Sequence, residues 1–385
     1  MMQLAVATEN PASVAETYVR QHMRALLPGQ TVGIALHGTR DDVPLDMPFF
    51  VRGRRSGGWP QRKVASISAL VRSGYAAALS TTEEAALSAF LKEHSVSTLL
   101  AEFGTTGLVL RRVAKSNGLR FVVNFHGFDA TVLPKRQDIR RAYKRLARDA
   151  DAFVCGSNHF ASILHALGFP AEKVHVIPCG VDPVAFSVGD RDGHTVLGVG
   201  RLTEKKRPDL TIRAFALAKE KVPQLRLELI GDGPKRAMCE DVIREKGLAG
   251  SVTLHGAKPH DEVRAAMARA SIFVQHSMTA TNGDQESQGI SLIEAMSSEL
   301  PVVATDHNGF SETVADGVTG MLSPEGDVEK MANNLVTLAS DPALRVAMGA
   351  AGRDRVAAHF DAAKTTERLR ALLFPMQDYA VKAAQ

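Results

Sequence analysis

The sequence predicts an α/β protein built from two units, each a parallel sheet with helices on both faces. Three observations carry that expectation. Strand-like and helix-like segments alternate through the first half of the chain, the pattern that gives a parallel sheet wrapped by helices. A stretch rich in glycine and aspartate, Gly180-Val181-Asp182-Pro183 followed by Gly189-Asp190-Arg191-Asp192-Gly193, interrupts the series as a linker would. A second alternating series begins beyond it, and 385 residues suffice for two domains.

In the first series, residues 4–7, 32–36, 98–101, 121–125, 152–155 and 173–177 are apolar runs of strand length. Helical patterns lie between most of them, notably at 84–93 and 139–148. Gly104 and Gly107 lead into a helix through Ala114. In the second series, strands fall at 195–199, 225–230, 252–254, 272–275 and 302–304, with a helix at 210–219. A last helical pattern occupies 362–373. Ligands of such sheets bind at the carboxyl ends of the strands, so polar residues there are the first functional candidates.

Hydrophobic residues at 45% and charged residues at 23% describe an ordinary globular chain. The formal net charge is +4, unevenly placed: residues 1–190 hold 22 Lys and Arg against 16 Asp and Glu, the remainder 24 against 26. A basic first half suits an anionic acceptor or a membrane surface, although an imbalance of this size is also common without either. Cys155, Cys179 and Cys239 form no CxxC, and each fits a small buried hydrophobe in a reducing compartment. The N-terminus has no basic leader region and meets Glu9 and Pro11 too early for a signal peptide. No apolar run approaches the roughly 20 residues that span a bilayer. A cytoplasmic location is expected.

The most informative stretch is Asp284-Gln285-Glu286-Ser287-Gln288-Gly289-Ile290-Ser291-Leu292-Ile293-Glu294-Ala295-Met296. A polar run, 281–289, leads into an apolar helical pattern at Ile290, Ile293 and Met296, so a helix should begin near Gly289 or Ser291. Its first N–H groups have no partner within the helix and, with the helix dipole, favour an anion such as phosphate. Glu286 precedes that tip. Glu294 lies one turn inside, roughly 5–7 Å along the axis at about 1.5 Å per residue. A phosphate at the tip with hydroxyl-bearing groups on both sides would engage both carboxylates, and a nucleotide sugar has that form. On this stretch alone, a solvated loop residue and a surface helix residue account for the two glutamates equally well.

Pro301-Val302-Val303-Ala304-Thr305 follows as a short buried strand. With it the chain resembles the retaining glycosyltransferases of the GT-B fold, glycosyltransferase family 4. In that family two glutamates separated by seven residues precede an Ala-Met and a Pro-Val-Val-Ala strand. The resemblance extends over most of the chain and is closest to the subgroup that builds exopolysaccharides of the colanic-acid type. It implies two Rossmann-like domains facing across a cleft: an acceptor-binding domain at 1–185 and a nucleotide-sugar-binding domain at 186–361. It also implies that the helix within 362–385 crosses back to the first domain. The implied activity moves a sugar from a nucleotide diphosphate sugar to a hydroxyl of a glycan or lipid-linked acceptor. No cofactor, metal or nucleic acid is implied. A UDP-sugar 2-epimerase shares the fold and the diphosphate site, and a non-catalytic nucleotide-sugar-binding protein is a further alternative.

The remaining motifs divide between this chemistry and structural duty. Gly200-Arg201-Leu202-Thr203-Glu204-Lys205-Lys206-Arg207-Pro208 follows the first strand of the second series. Arg holds phosphate through paired hydrogen bonds and Lys as a point charge. The resemblance assigns Arg201 and a following lysine to the donor diphosphate; Lys206 is preferred to Lys205. A solvated basic loop is the structural alternative. Gly198-Val199-Gly200 lacks the third glycine of a nicotinamide fingerprint, because Thr203 stands there. Gly231-Asp232-Gly233-Pro234 is a strand-end turn, and the resemblance puts Gly231, Asp232 and Gly233 beside the nucleotide, with Gly289, Ile290 and Ser291 at the phosphate and Glu294 at the ribose.

His126-Gly127-Phe128-Asp129 ends the strand at 121–125. A lone histidine is more often structural, but the resemblance gives His126 to the transferred sugar or its phosphate, and Glu286 to the sugar hydroxyls. Asp129 fits a cap better than a catalyst. Ser13 and Glu16, in the loop after the first strand, resemble the exopolysaccharide subgroup and are the acceptor-side candidates. Asp149-Ala150-Asp151 imitates a metal-binding DxD, yet it ends a basic helix and opens a strand, so capping explains it better. That helical region carries Lys135, Arg136, Arg140, Arg141, Lys144, Arg145 and Arg148, either a solvated face or a contact with anionic lipid at the inner face of the membrane. One departure from the family stands out: Glu299 in Ser297-Ser298-Glu299-Leu300 occupies the place where a glycine commonly ends the helix.

Overall fold

The computed structural model describes residues 3–11, 17–38, 46–53, 68, 70 and 74–375. They form two compact units, Met1–Ile177 with Thr366–Gln385, and Pro178–Thr365. Among the described residues the first unit has seven strands: β1 (Gln3–Thr8), β2 (Thr31–Ala35), β3 (Phe49–Val51), β4 (Val96–Glu102), β5 (Arg120–Asn124), β6 (Ala152–Cys155) and β7 (Val174–Val176). They pair in parallel in the order β3-β2-β1-β4-β5-β6-β7. The second unit has β8 (Thr195–Val199), β9 (Arg226–Ile230), β10 (Val252–Gly256), β11 (Ile272–Gln275), β12 (Val302–Thr305) and β13 (Gly320–Ser323). Its order is β10-β9-β8-β11-β12-β13, again parallel. Both sheets therefore run outward in two directions from their first strand. The reversal falls between β1 and β4 in one and between β8 and β11 in the other, and the crevice at the strand ends of such a reversal is where ligands bind.

Every strand expected from the sequence is present. β3 and β13 were not expected. Phe49-Phe50-Val51 is too short to display a period, and Gly320-Met321-Leu322-Ser323 is only half apolar; both are edge strands fixed by pairing with a neighbour rather than by their own pattern. In the first unit successive residues of β1 enter opposite faces, as the strand period requires. Leu4 and Val6 join Leu100, Val122 and Val154, while Ala5 and Ala7 join Leu99, Val123 and Phe153. Leu369 and Leu373, on the helix Ala362–Leu373, complete the first of these faces. Each contributes about 1.5–3 kcal/mol of burial. The Arg120 guanidinium donates to the Leu372 carbonyl at 2.8 Å, and Arg370 Nε to that of Leu26 at 2.8 Å.

Three helices place the polar groups near the strand ends. Gly104–Ser116 begins at Gly104 itself, because its glycines let it approach the sheet. A Cβ on Gly104 would stand 2.4 Å from the Phe125 ring, and one on Gly107 3.0 Å from Val123. Gln137–Asp149 buries Ile139, Ala142, Tyr143 and Leu146 and exposes Arg140, Arg141, Lys144, Arg145 and Arg148. Ile290–Ser297 starts after Gly289, which is left-handed at φ 78°. At its other end, Glu299 takes the left-handed conformation, φ 56°, that a glycine usually supplies. Its N–H donates to Met296 O and the N–H of Leu300 to Ala295 O, both at 3.0 Å, so the helix closes with the ordinary paired bonds despite the missing glycine.

Candidate functional site

In the second unit, polar groups gather at the ends of β8 and β11, beside the sheet's reversal. Gly200 N donates to Ile230 O at 2.9 Å and Leu202 N to Asp232 O at 3.0 Å. A Cβ on Gly231 would lie 2.0 Å from the Gly200 carbonyl oxygen, and one on Gly233 2.6 Å from that of Leu202. These glycines thus let the turns after β8 and β9 lie against each other, which no side chain would permit. A cavity there is lined by Gly198, Gly200, Arg201, Lys206, Thr211 and Gln275, among others. The Lys206 side chain runs over Gly200, with Cδ and Cε 3.1 Å from where a Cβ would be. Asp232 is exposed, its Oδ1 accepting from Gly233 N at 2.7 Å.

The two lysines divide. Lys205 Nζ is 3.2 Å from Asp284 Oδ1, 3.2 Å from Gln285 O and 3.3 Å from Glu286 Oε1. Lys206 Nζ is 3.5 Å from Glu286 Oε1. Burial acts to raise the Glu286 carboxyl, but Lys206 and Lys205 outweigh it and hold it down at about 2. Burial wins at Lys206, whose ammonium is lowered from its ordinary value although Glu286 opposes the shift. Arg201 is exposed on the same turn. Ser291 Oγ donates to Gln275 Oε1 at 2.7 Å, tying the helix tip to the end of β11. Glu294 Oε1 lies 2.9 Å from His260 Nε2. The unit thus brings Arg201, Lys206, Glu286 and the tip at Gly289, Ile290 and Ser291 to one strand-end region.

Sequence reasoning missed three groups here: His260, His307 and Glu325. His307 Nδ1 is 2.5 Å from Glu325 Oε1, and its Nε2 accepts the Glu286 N–H at 3.2 Å. The polar run Asp306-His307-Asn308 at the end of a buried strand was the available signal.

In the first unit the reversal between β1 and β4 carries Glu102, the last residue of β4, which is fully buried. Its oxygens accept from His22 Nδ1 at 2.6 Å, His126 Nε2 at 2.7 Å and Asn124 Nδ2 at 3.0 Å. Burial would raise this carboxyl; the two imidazoles outweigh it and hold it at about 2. The His126 ring lies between those of Tyr18 and Phe103, at centroid distances of 4.5 and 4.7 Å. Phe103 holds φ 76°, a conformation strained for an aromatic residue, within this same cluster. Asp129 accepts the N–H groups of Gly104, His126 and Gly127, the cap expected of it. Glu102 and His22 were not foreseen, although a glutamate continuing the buried run 98–101 marked the place.

Asp149 is paired with Arg111 and Lys115, and Asp151 accepts the Phe121 N–H at 2.7 Å, so both carboxylates of the DxD have structural partners. Ser13 and Glu16 lie outside the described residues.

Two parallel-sheet units, of seven and six strands, with glycine turns, Arg201 and Lys206 at the strand ends of the second, give the chain the architecture of a GT-B protein. Comparisons with known proteins agree. Residues 185–355 match the family described as Glycosyl transferases group 1, and residues 16–184 match Glycosyltransferase Family 4. The amylovoran biosynthesis glycosyltransferase AmsK of Erwinia amylovora is 32% identical over 70% of this chain and 68% of its own. The putative colanic acid biosynthesis glycosyltransferase WcaL of Salmonella typhimurium is 30% identical over 71% and 69%. The crystal structure of Anabaena HepE in complex with UDP and glucose superposes with a TM-score of 0.77 at 18% identity, covering 98% of this chain and all of that one. The chain belongs to glycosyltransferase family 4 and is a glycosyltransferase of the GT-B fold.

Proposed function

We propose that this glycosyltransferase moves a sugar, with retention of anomeric configuration and without a metal, from a nucleotide diphosphate sugar to a hydroxyl of a glycan or lipid-linked glycan during exopolysaccharide assembly. The observation that carries the reading is the cationic site beside the reversal of the second sheet: Lys206 lies along Gly200, Arg201 is on the same turn, and a helix tip is tied to the end of β11. In the reaction the bond from the anomeric carbon to the diphosphate oxygen breaks, and its electron pair leaves with the phosphate. The acceptor oxygen bonds to that carbon on the same face, and its proton passes to the leaving phosphate. Arg201, Lys206 and the helix tip stabilise the developing negative charge. Glu286 orients sugar hydroxyls and Glu294 the ribose. His126 meets the transferred sugar or its phosphate. The names of the relatives, which concern amylovoran and colanic acid, support exopolysaccharide as the product class.

The exposed basic face of Gln137–Asp149 supports a second element of the reading, peripheral contact with an anionic membrane that would present a lipid-linked acceptor. The deciding experiment is mass spectrometry of products after incubation with a panel of UDP-, GDP- and other nucleotide sugars, with and without oligosaccharide and lipid-linked acceptors. Transfer that persists in EDTA is expected. Turnover of donor alone to an epimer would replace transfer by epimerisation, donor binding without any product would replace it by a binding role, and loss on chelation would return the metal question to Asp149 and Asp151.

A further inference from the structure

The loop that carries Glu286 has no regular structure, yet the proposed sugar transfer needs its carboxylate in one place. That carboxylate is held by Lys205 and Lys206. Once Lys206 turns to a diphosphate, one of those partners is lost. Another hold comes through the backbone at Glu286 itself: its N–H donates to His307 Nε2 at 3.2 Å.

That bond fixes the protonation of His307. A backbone N–H is a donor only, so Nε2 must carry its lone pair, and the ring proton sits on Nδ1. Nδ1 faces Glu325 Oε1 at 2.5 Å, an acceptor that suits it. The other oxygen of Glu325 accepts the N–H of Thr279 at 3.2 Å, at the start of the same loop. Asn308 is left-handed at φ 50° and reaches Gln285 Oε1 at 3.2 Å, next to Glu286. The ring is fully buried and stands edge-on to Phe310, whose own ring would be 2.6 Å from a Cβ on Gly289. The imidazole thus meets Glu325 at Nδ1 and the Glu286 N–H and Asn308 Nδ2, the latter at 3.0 Å, at Nε2, and through Glu325 and Asn308 it is linked to Thr279 and Gln285 of the loop.

We propose that His307, as the neutral Nδ1–H tautomer oriented by Glu325, is a positioning residue that fixes the Glu286 backbone for sugar transfer. The assignment rests on the glycosyltransferase reading for its consequence in turnover, but not for the tautomer. It separates two functions of one site: phosphate affinity belongs to Lys206 and the helix tip, while placement of Glu286 belongs to the Glu325–His307 pair.

The first test is the two-bond proton–nitrogen spectrum of the imidazoles in the nitrogen-15-labelled full chain at neutral pH, with His307→Gln used to assign the signal. A proton on Nδ1 and a bare Nε2 are expected. A proton on Nε2, or on both nitrogens, overturns the proposal whatever the enzyme's substrate. The second test uses whichever nucleotide sugar the parent turns over in the donor panel. His307→Leu should lower kcat by about tenfold or more, the effect of a lost hydrogen bond at a critical position, with KM and the affinity for UDP or GDP within about threefold. His307→Gln, whose amide both accepts and donates, should recover most of that loss. A kcat for His307→Leu within twofold of the parent, or an equal loss in the Leu and Gln variants, overturns the proposal. If the Leu variant does not fold, the tautomer spectrum and the Gln variant still decide. A parent that turns over no donor defeats the functional reading, and the spectrum then tests the His307 geometry by itself.

Discussion

Lys206 and Lys205 are adjacent in sequence, yet their surroundings assign them different work. Lys205 is fastened to Asp284, Gln285 and Glu286, which makes it a brace for the loop. Lys206 has the aliphatic run over Gly200 and a longer contact to Glu286. Lys206→Ala should therefore weaken binding of the nucleoside diphosphate and leave the uncharged nucleoside unchanged by calorimetry. A lost charged hydrogen bond of roughly 1.5–3 kcal/mol corresponds to about 10- to 150-fold. Equal weakening of both ligands would hand the phosphate role to Lys205. Glu102 allows a different residue-scale test, because its folded carboxyl is held at about 2 against an ordinary value of 4.5. A depressed carboxyl stabilises the fold above its unfolded value and ceases to do so as pH falls through its folded one. Glu102→Gln should cost on the order of 3 kcal/mol near neutrality, as loss of a buried ionic partner does. The gap between variant and parent in urea unfolding should narrow as pH drops from 4.5 toward 2. A gap independent of pH would mean that packing, not charge, holds the cluster.

At the scale of elements, the end of Ile290–Ser297 is the clearest conflict between local preference and fold. Glu299 adopts φ 56° where glycine would be at ease, and its ion pair with Arg353 is long, at 3.9 Å. Glu299→Gly should raise stability by about 0.5–1 kcal/mol, since a left-handed conformation costs an ordinary residue about that much or more relative to glycine. The urea midpoint should rise without a change in slope; a fall would show that the Arg353 contact outweighs the strain. The same element illustrates what could be read in advance. The helix start at Gly289 was legible because glycine, polar loop and apolar period are all local signals, whereas the roles of Glu286 and Glu294 came only from the family resemblance. The helix Thr81–Glu93 was expected from residue 84, three residues late, because its start rests on the reciprocal bonds of Ser80 and Glu83, 3.2 and 2.6 Å. Glu102 with His22, 80 positions away, and His307 with Glu325 were not legible. Their meaning lies in contacts that the fold makes between separate elements: His22 sits on the helix Thr17–Ala25 and Glu102 at the end of β4, while His307 and Glu325 follow the neighbouring strands β12 and β13, and no spacing rule reports those.

For the molecule as a whole, charge is the property that sequence and structure describe together. The basic excess lies in residues 1–190. In the structure part of it becomes one helical face, where Arg140, Arg141 and Lys144 are exposed on Gln137–Asp149 while the opposite side is buried in the core. Arg136 contributes less, being paired with Asp138 at 2.7 Å. Among the described residues no helix is long and apolar enough to cross a membrane; attraction between this exposed face and anionic lipid would be electrostatic. Such attraction is worth about 1 kcal/mol for each Lys or Arg near the lipid and fades within about 8–10 Å at physiological ionic strength. The full chain should therefore sediment with phosphatidylserine-containing vesicles in low salt and release as salt rises. Replacing Arg140, Arg141 and Lys144 together by Gln should remove about 3 kcal/mol, or roughly a hundredfold in partition, while leaving UDP and GDP affinity as in the parent. Because these side chains point away from the buried stripe of Ile139, Ala142, Tyr143 and Leu146, the triple variant should also keep its urea midpoint. Vesicle binding that survives the triple substitution would move the contact to another surface, and absence of binding by the parent in low salt would leave this face to water.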